Sequence, residues 1–321
     1  MVFITFIDGV CMDDVHQLRI FEAVAQQLSF TKAAQALHLT QSAVSHQIAA
    51  LEQEIGGPLF ERQGRTILLT PAGDMLLQQT RRILSVLQEA KTAVQEAFRP
   101  GAGLIRIGAP ATACQFIFPA AVREFRASYP DYQLSITPAD SPQATKLLTD
   151  GIIDIGIVLC GPKSRQLAYD PLLIDELGFL VNPLHPWARR GKVDRTELDQ
   201  QHYVLYSRQS TTFHIVQSYL ARVGAVLRNF TELGSMEAIK ELVKLGLSVT
   251  VCARWIARRE IHDGQLVWLK PPGGRISCTW CAAWRGSRTL RPAEHTFCSL
   301  CRSSSKELQA ANGSHPTAGD P

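Results

Sequence analysis

The sequence predicts an α/β chain with three parts: an N-terminal winged helix-turn-helix, a long dimerisation helix, and a C-terminal α/β region. Three observations predict it. Apolar residues recur at helical spacing in four runs over the first hundred residues. The fourth run carries a heptad seam. Beyond residue 100, short strand-like runs alternate with helical ones, the texture of βαβ units and a mostly parallel sheet.

The first helix spans about Asp13 to Gln27, with Val15, Leu18, Ile20, Phe21, Val24 and Leu28 on or near one face. Ser29-Phe30-Thr31 breaks the pattern, with Thr31 read as the cap of a short alanine-rich helix from Lys32 to Leu37. His38-Leu39 turns, and Thr40 caps a third helix that ends before Gly56-Gly57-Pro58. Leu59–Arg62 and Thr66–Leu69 flank Gln63-Gly64-Arg65 as a small hairpin. Thr70-Pro71 opens the fourth helix, cap then first-turn proline. In it Leu76, Thr80, Ile83, Leu87, Ala90, Val94 and Ala97 repeat at 4-3 spacing, a seam that calls for a second copy of the chain. Arg99 to Gly103 reads as a hinge. Strands are expected at 104–108, 133–137, 153–159, 172–181, 203–206, 247–252 and 277–284. Helices are expected at 118–129, 141–150, 212–223, 236–245 and 291–301.

Composition bounds the function. The chain has 321 residues, 45% hydrophobic and 19% charged, so it is neither disordered nor fibrous, and it is long enough for two or three domains. A net charge of +4 is too weak by itself to argue for nucleic acid. No apolar run reaches the roughly 18 residues of a membrane span. The apolar stretch Val2–Val10 contains Asp8 and follows no Lys or Arg, so it fails as a secretory signal and the cytoplasm is expected.

The second and third helices with their tight turn form a helix-turn-helix. Ala43, Val44, Ile48 and Leu51 hold the third helix to its bundle, while Gln41, Ser42, Ser45 and His46 project outward near its start. Gln pairs bidentately with adenine, and Ser serves bases or phosphates in a major groove. Thr31 and Lys32 at the start of the preceding helix, and Arg62 and Arg65 in the hairpin, suit phosphate or minor-groove contact. One observation opposes this. Residues 12–99 hold eight Lys or Arg against nine Asp or Glu, a net charge of −1. Local placement outweighs the sum, because the acids lie mostly away from the third helix's start. The expected non-specific affinity is modest, and binding depends on a dimer doubling the contacts.

These residues carry a resemblance. Leu18–Phe21, Phe30–Ala34, Leu37–Ser45, Leu51-Glu52, Gly56, Leu59–Arg62 and Leu69–Gly73 are similar to the LysR-type transcriptional regulators. Phe118-Pro119, Phe125, Tyr129-Pro130 and Gly151–Ile157 resemble that family's effector domain, so the likeness covers Met12 to Cys301. At His46 many members carry Arg, so the contact is weaker here and open to protonation. The resemblance implies a homodimer, a dimer of dimers, double-stranded DNA and RNA polymerase as partners, and a small-molecule effector. It also implies a two-subdomain C-terminal domain like a periplasmic binding protein. The chain then divides into a DNA-binding domain at 12–70, a dimerisation helix at 71–99 and an effector domain at 100–301. Within the last, subdomain I is 104–162 with 272–301 and subdomain II is 163–271, with crossings near Lys163 and Pro271. Residues 1–11 and 302–321 are extensions expected to be disordered. Thr112, Ser141, Ser210, Thr211 and Ser235 start helices after strands, where hydroxyls and free N–H groups favour a small anion or carboxylate. The same residue types are also ordinary caps.

Cys278, Cys281, Cys298 and Cys301 have zinc-ribbon spacing, but the first pair falls on a strand, the second on a helix, and neither has a knuckle glycine. They are expected as core or half-exposed thiols, with no metal. A thiol-based redox or metal sensor and a solute-binding receptor are the alternatives, the receptor requiring a leader that the sequence lacks. No G-x-S-x-G, P-loop or H-E-x-x-H occurs, and His202 and His214 have no nucleophile at recognisable spacing, so no enzyme and no catalytic residue are expected.

Overall fold

The computed structural model describes residues 12–63, 66–98, 101–161 and 164–313. Contacts divide the chain into two compact units, one running to Val94 and the other taking nearly all that follows Gln95. No helix among the described residues is long and apolar enough to cross a membrane. The expected extension 1–11 and the hinge residues Arg99 and Pro100 lie outside the described residues.

The first unit contains α1 (Met12–Gln27), α2 (Phe30–Leu37), α3 (Gln41–Ile55), the hairpin β1 (Phe60–Gln63) and β2 (Thr66–Leu69), and α4 (Pro71–Phe98). Its core joins Ile20, Phe21 and Val24 of α1, Ala33 and Ala34 of α2, and Val44, Ile48 and Leu51 of α3, closed by Leu59 and Leu77. Leu28, expected on the inner face, is 45% exposed, because the chain leaves helical geometry there at a φ of 46°. Ser29, not Thr31, caps α2, accepting from the Lys32 N–H. The helix therefore starts two residues earlier than expected. Thr40 caps α3 as expected, its hydroxyl accepting from the Ala43 N–H at 3.2 Å.

The turn after α3 is held by Glu52, whose Oε1 accepts from the N–H groups of Leu59 (2.8 Å) and Phe60 (3.2 Å). Thr70 donates to the Pro58 carbonyl at 2.8 Å and accepts from the Gly73 N–H at 3.0 Å, so one hydroxyl both caps α4 and ties it to the hairpin. A Cβ on Gly73 would sit 2.1 Å from the Leu59 carbonyl oxygen, so this close approach requires glycine.

The second unit holds, in order, β3 (Gly103–Ala109), α5 (Ala111–Phe116), α6 (Phe118–Ser128), β4 (Tyr132–Pro138), α7 (Ser141–Thr149), β5 (Ile155–Leu159) and β6 (Leu167–Val181). Then come α8 (Pro186–Arg190), β7 (His202–Leu205), α9 (Thr211–Arg222), β8 (Asn229–Glu232), α10 (Met236–Lys244) and β9 (Thr250–Ala253). The chain ends in α11 (Arg258–His262), β10 (Val267–Leu269), β11 (Ile276–Arg285) and α12 (Pro292–Gly313). A seven-stranded sheet runs β10-β6-β11-β5-β3-β4, with β9 also on β6, and β7 and β8 form a separate parallel pair.

Two expectations are corrected here. The sheet is mixed rather than mostly parallel: β3 pairs parallel with β4 and β5, but β11 and β6 are antiparallel to their neighbours. β5 is buried on both faces, and such a strand reads as a continuous apolar run with no mark of direction. The expected crossings near Lys163 and Pro271 lie just before β6 and β11, and Lys163 itself is outside the described residues. β6 and β11 themselves serve both halves. The start of β6 pairs with the end of β11 beside β5, and the end of β6 carries β9 and β10. Finally, α12 continues from the expected 291–301 to Gly313, so residues 302–313 are helical. Arg302 there pairs with Asp170, Ser305 is fully buried and donates back to the Cys301 carbonyl at 2.7 Å, and Gln309 donates to the Ile174 carbonyl at 2.9 Å. The serines that resemble a tail are small enough to pack. Residues 314–321 lie outside the described residues.

Candidate functional site

Two regions collect the candidate residues. The first is the start of α3. Val44, Ile48 and Leu51 are buried and fix the helix, whereas Gln41, Ser42 and His46 are exposed and Ser45 is half-buried. The polar tip is organised before any partner arrives: Gln41 Nε2 donates to Ser45 Oγ at 3.0 Å, and the Thr40 and Ser42 hydroxyls lie 3.1 Å apart. Thr31 and Lys32 are both exposed on the first turn of α2. Arg62 sits on β1 opposite Ile67, with its side chain outside the described residues, and Arg65 lies outside them altogether.

Along α4, Leu76 packs against the head's core and Thr80 is buried. Further on, Ile83, Leu87, Ala90 and Val94 are exposed, and so are Val86 and Phe98. A 28-residue helix with a bare apolar stripe leaves hydrophobic surface for a partner to cover.

The second region is a cavity in the second unit, at the ends of strands and the starts of helices. Thr112, Ser141, Ser210 and Thr211 line it. Ser235 does not. Its hydroxyl caps α10 by accepting from the Ala238 N–H, and the neighbouring Met236 faces the cavity instead. Two of the lining hydroxyls have structural duties. Ser141 Oγ accepts from the Leu159 N–H at 2.9 Å, and Ser210 Oγ caps α9 while donating to the Ser207 carbonyl at 2.7 Å. Thr112 and Thr211 are half-buried.

The sequence reading missed the floor of this cavity. Asp175, on β6, is buried, and its Oδ2 accepts from the indole N–H groups of Trp255 (2.8 Å) and Trp280 (3.3 Å). Burial pushes its carboxyl above the ordinary range, against the pull of those hydrogen bonds and of the Glu176 N–H. Thr250 is fully buried on β9, lines the cavity, and has no hydrogen-bond partner for its hydroxyl among the described residues. Among the described residues the lining includes no Lys, Arg or His. Its charged members are Asp140 and Asp175, and Asp140 already caps α7 through the Gln143 N–H.

One of the four late cysteines departs from expectation, and the other three are buried free thiols. Cys281 is joined to Cys160 by a disulfide between β11 and the residue after β5, so it is not a free thiol. Proximity across adjacent strands made this pair, and a sequence separation of 121 hid it from spacing arguments. Cys252 and Cys278 face the cavity, while Cys298 and Cys301 are buried on α12. Burial pushes the Cys252 and Cys298 thiols up to about 12, so both stay protonated at neutral pH.

Comparison with known proteins accounts for both regions. Residues 15–74 match the model of the bacterial regulatory helix-turn-helix proteins of the lysR family, and residues 99–306 match the LysR substrate binding domain. A probable RuBisCO transcriptional regulator of Cyanidioschyzon merolae is 34% identical over 246 residues, covering 74% of this chain and 81% of that one. The HTH-type transcriptional regulator CbbR of Rhodospirillum rubrum is 30% identical over 297 residues, covering 91% and 97%. Among solved structures, full-length OxyR from Pseudomonas aeruginosa superposes with a TM-score of 0.68 at 23% identity, covering 90% of this chain and 97% of that one. Full-length CbnR in complex with its target DNA superposes at 0.63 and 22%, covering 90% and 99%, so the fold is shared with a chain that was solved on DNA. The chain belongs to the LysR family: it is a DNA-binding transcriptional regulator with an effector-binding domain.

Proposed function

We propose that the chain reads its operator through Gln41, Ser42, Ser45 and His46 of α3, with Thr31, Lys32, Arg62 and Arg65 on the flanking phosphates. The carrying observation is the polar tip of α3, exposed and internally hydrogen-bonded on a buried Val44–Ile48–Leu51 base. Self-association through Ile83, Leu87, Ala90 and Val94, with Leu76 and Thr80 nearer the head, delivers two such tips to grooves about one DNA turn apart. A dimer of dimers and contact with RNA polymerase belong to this proposal.

The effector is proposed to be a small molecule with an apolar body and at most one carboxylate. The starts of α7, α9 and α10 offer a positive field, and Thr112, Thr211 and Thr250 offer hydroxyls. The lack of a cation in the lining, and the nearby Asp175, work against a multiply charged ligand.

The test is footprinting on genomic fragments, and the RuBisCO regulators among the relatives make a RuBisCO promoter the first fragment to try. Gln41→Ala with His46→Ala is expected to weaken specific binding by about 10- to 100-fold with an unchanged melting temperature. An unchanged footprint overturns the assignment of α3. Leu87→Asp, on the exposed stripe, is expected to lower the mass seen by light scattering. A mass equal to wild type removes α4 from the interface.

A further inference from the structure

We propose that a second cavity, bounded by α5, α10, α11 and α12, binds a small multiply charged anion such as a phosphate ester or diphosphate. This goes beyond the effector reading and does not depend on what the first cavity takes.

The cavity is cationic by construction. Arg254, Arg258, Arg259 and His262 all line it. Arg254 lies on a 3-10 turn (Arg254–Ala257) that runs directly into α11, which carries Arg258 and His262, so one short stretch brings all three to the recess. The three guanidinium groups repel one another unless something neutralises them. The carboxylates on the cavity do not. Glu237 and Glu260 are both occupied by Lys240, at 2.9 and 2.8 Å, and Glu237 also accepts from Gln115 at 2.9 Å. Lys240 is itself buried. Burial works against its charge, yet the hydrogen bonds it donates to Glu260 and Glu237 hold its ammonium above the ordinary range, so both carboxylates are already engaged.

The arginines are left over. Arg259 reaches Asp263 only at 3.9 Å, and Asp263 also meets His262. Arg254 is half-buried and Arg258 exposed, and neither has an ion-pair or hydrogen-bond partner among the described residues. Two unengaged guanidinium forks that open on one recess match the geometry of phosphate oxygens, which they can grip in pairs. Phe116 and Trp255, edge to face at 5.4 Å, supply an apolar wall, so the recess suits a small ligand better than a polymer lying across a surface.

Isothermal titration of the full chain with pyrophosphate, at constant ionic strength, tests this. One saturable site per chain is expected, with a Kd below about 1 mM and weaker binding of orthophosphate. Arg254→Gln and Arg258→Gln break no internal pair, so both should melt like wild type while weakening pyrophosphate at least about tenfold. Arg254→Lys should recover part of the loss, because it restores charge without the fork. No saturation by about 10 mM overturns the proposal. So does pyrophosphate binding that survives both Gln substitutions, or a loss of DNA binding in these variants with pyrophosphate binding intact.

Discussion

The DNA-reading head and the effector domain handle polar groups in opposite ways. In the head, Gln41, Ser42 and His46 point outward from a scaffold whose buried members are wholly apolar, Val44, Ile48 and Leu51. Water satisfies them until DNA replaces it. In the effector domain, Asp175 and Thr250 are buried among apolar neighbours and line the cavity. Every hydrogen bond made or left unmade there counts towards folding. The difference teaches that recognition and stability are separable in the head and joined in the effector domain. Substitutions at the tip of α3 should change affinity alone, and substitutions around Asp175 should change both properties.

The largest expected departure comes from Trp255→Ala. Trp255 is 2% exposed, packs edge to face on Phe116, lies 6.2 Å centroid to centroid from Trp280, and donates to Asp175. Removing it opens a void and strips a buried carboxyl of a donor, at a cost of about 3–5 kcal/mol. Calorimetry of the full chain should show the effector domain's transition lowered and the head's unchanged. A single transition that falls as one would break the comparison, because the two units would then unfold together. Trp255→Phe keeps most of the packing and loses the donor, so it should fall between the extremes.

How much of this was legible follows the same division. The head's site is local: Thr40, Gln41, Ser45 and His46 lie within one stretch of helix, so periodicity alone separates the buried face from the exposed one. Even the error there was local, since Ser29 and Thr31 are both competent caps two residues apart, and the structure uses Ser29. The effector cavity is not local. Its floor joins Asp175, Thr250, Trp255 and Trp280, four residues from three strands and a turn. Helix starts are legible, and Thr112, Ser141, Ser210 and Thr211 at such starts line the cavity, whereas Ser235 at the start of α10 lies outside its lining. Asp175 did leave a trace: a lone acid within Pro-Leu-Leu-Ile-Asp-Glu-Leu, in the middle of an apolar strand, is the kind of buried polar residue that asks for partners. The spacing of Arg254, Arg258 and His262 was equally visible. What could not be read is the direction of β6 and β11 and the pairing of Cys160 with Cys281, since both depend on which strands become neighbours.

A smaller effect sharpens the comparison further, because it isolates the charge of Asp175 from its packing. Burial raises this carboxyl above its ordinary value, so the folded state holds the proton more tightly than the unfolded chain does. Ionising it therefore costs the folded state. The cost is in full force above the raised value and disappears as pH falls through that value towards the ordinary 3.8. Asn at this position keeps an oxygen for an indole N–H and carries no proton to lose. Asp175→Asn should lie within about 1 kcal/mol of wild type at neutral pH. Its advantage over wild type should shrink on acidification, since only the wild type gains as its carboxyl becomes neutral. Melting temperatures of both proteins from about pH 4 to about pH 8 measure this difference, and other titrating groups cancel between them. A difference that stays constant with pH means the carboxyl is already compensated by Trp255, Trp280 and the Glu176 N–H. The effector cavity would then carry no stored electrostatic cost, and a ligand entering it would have no unfavourable charge to relieve.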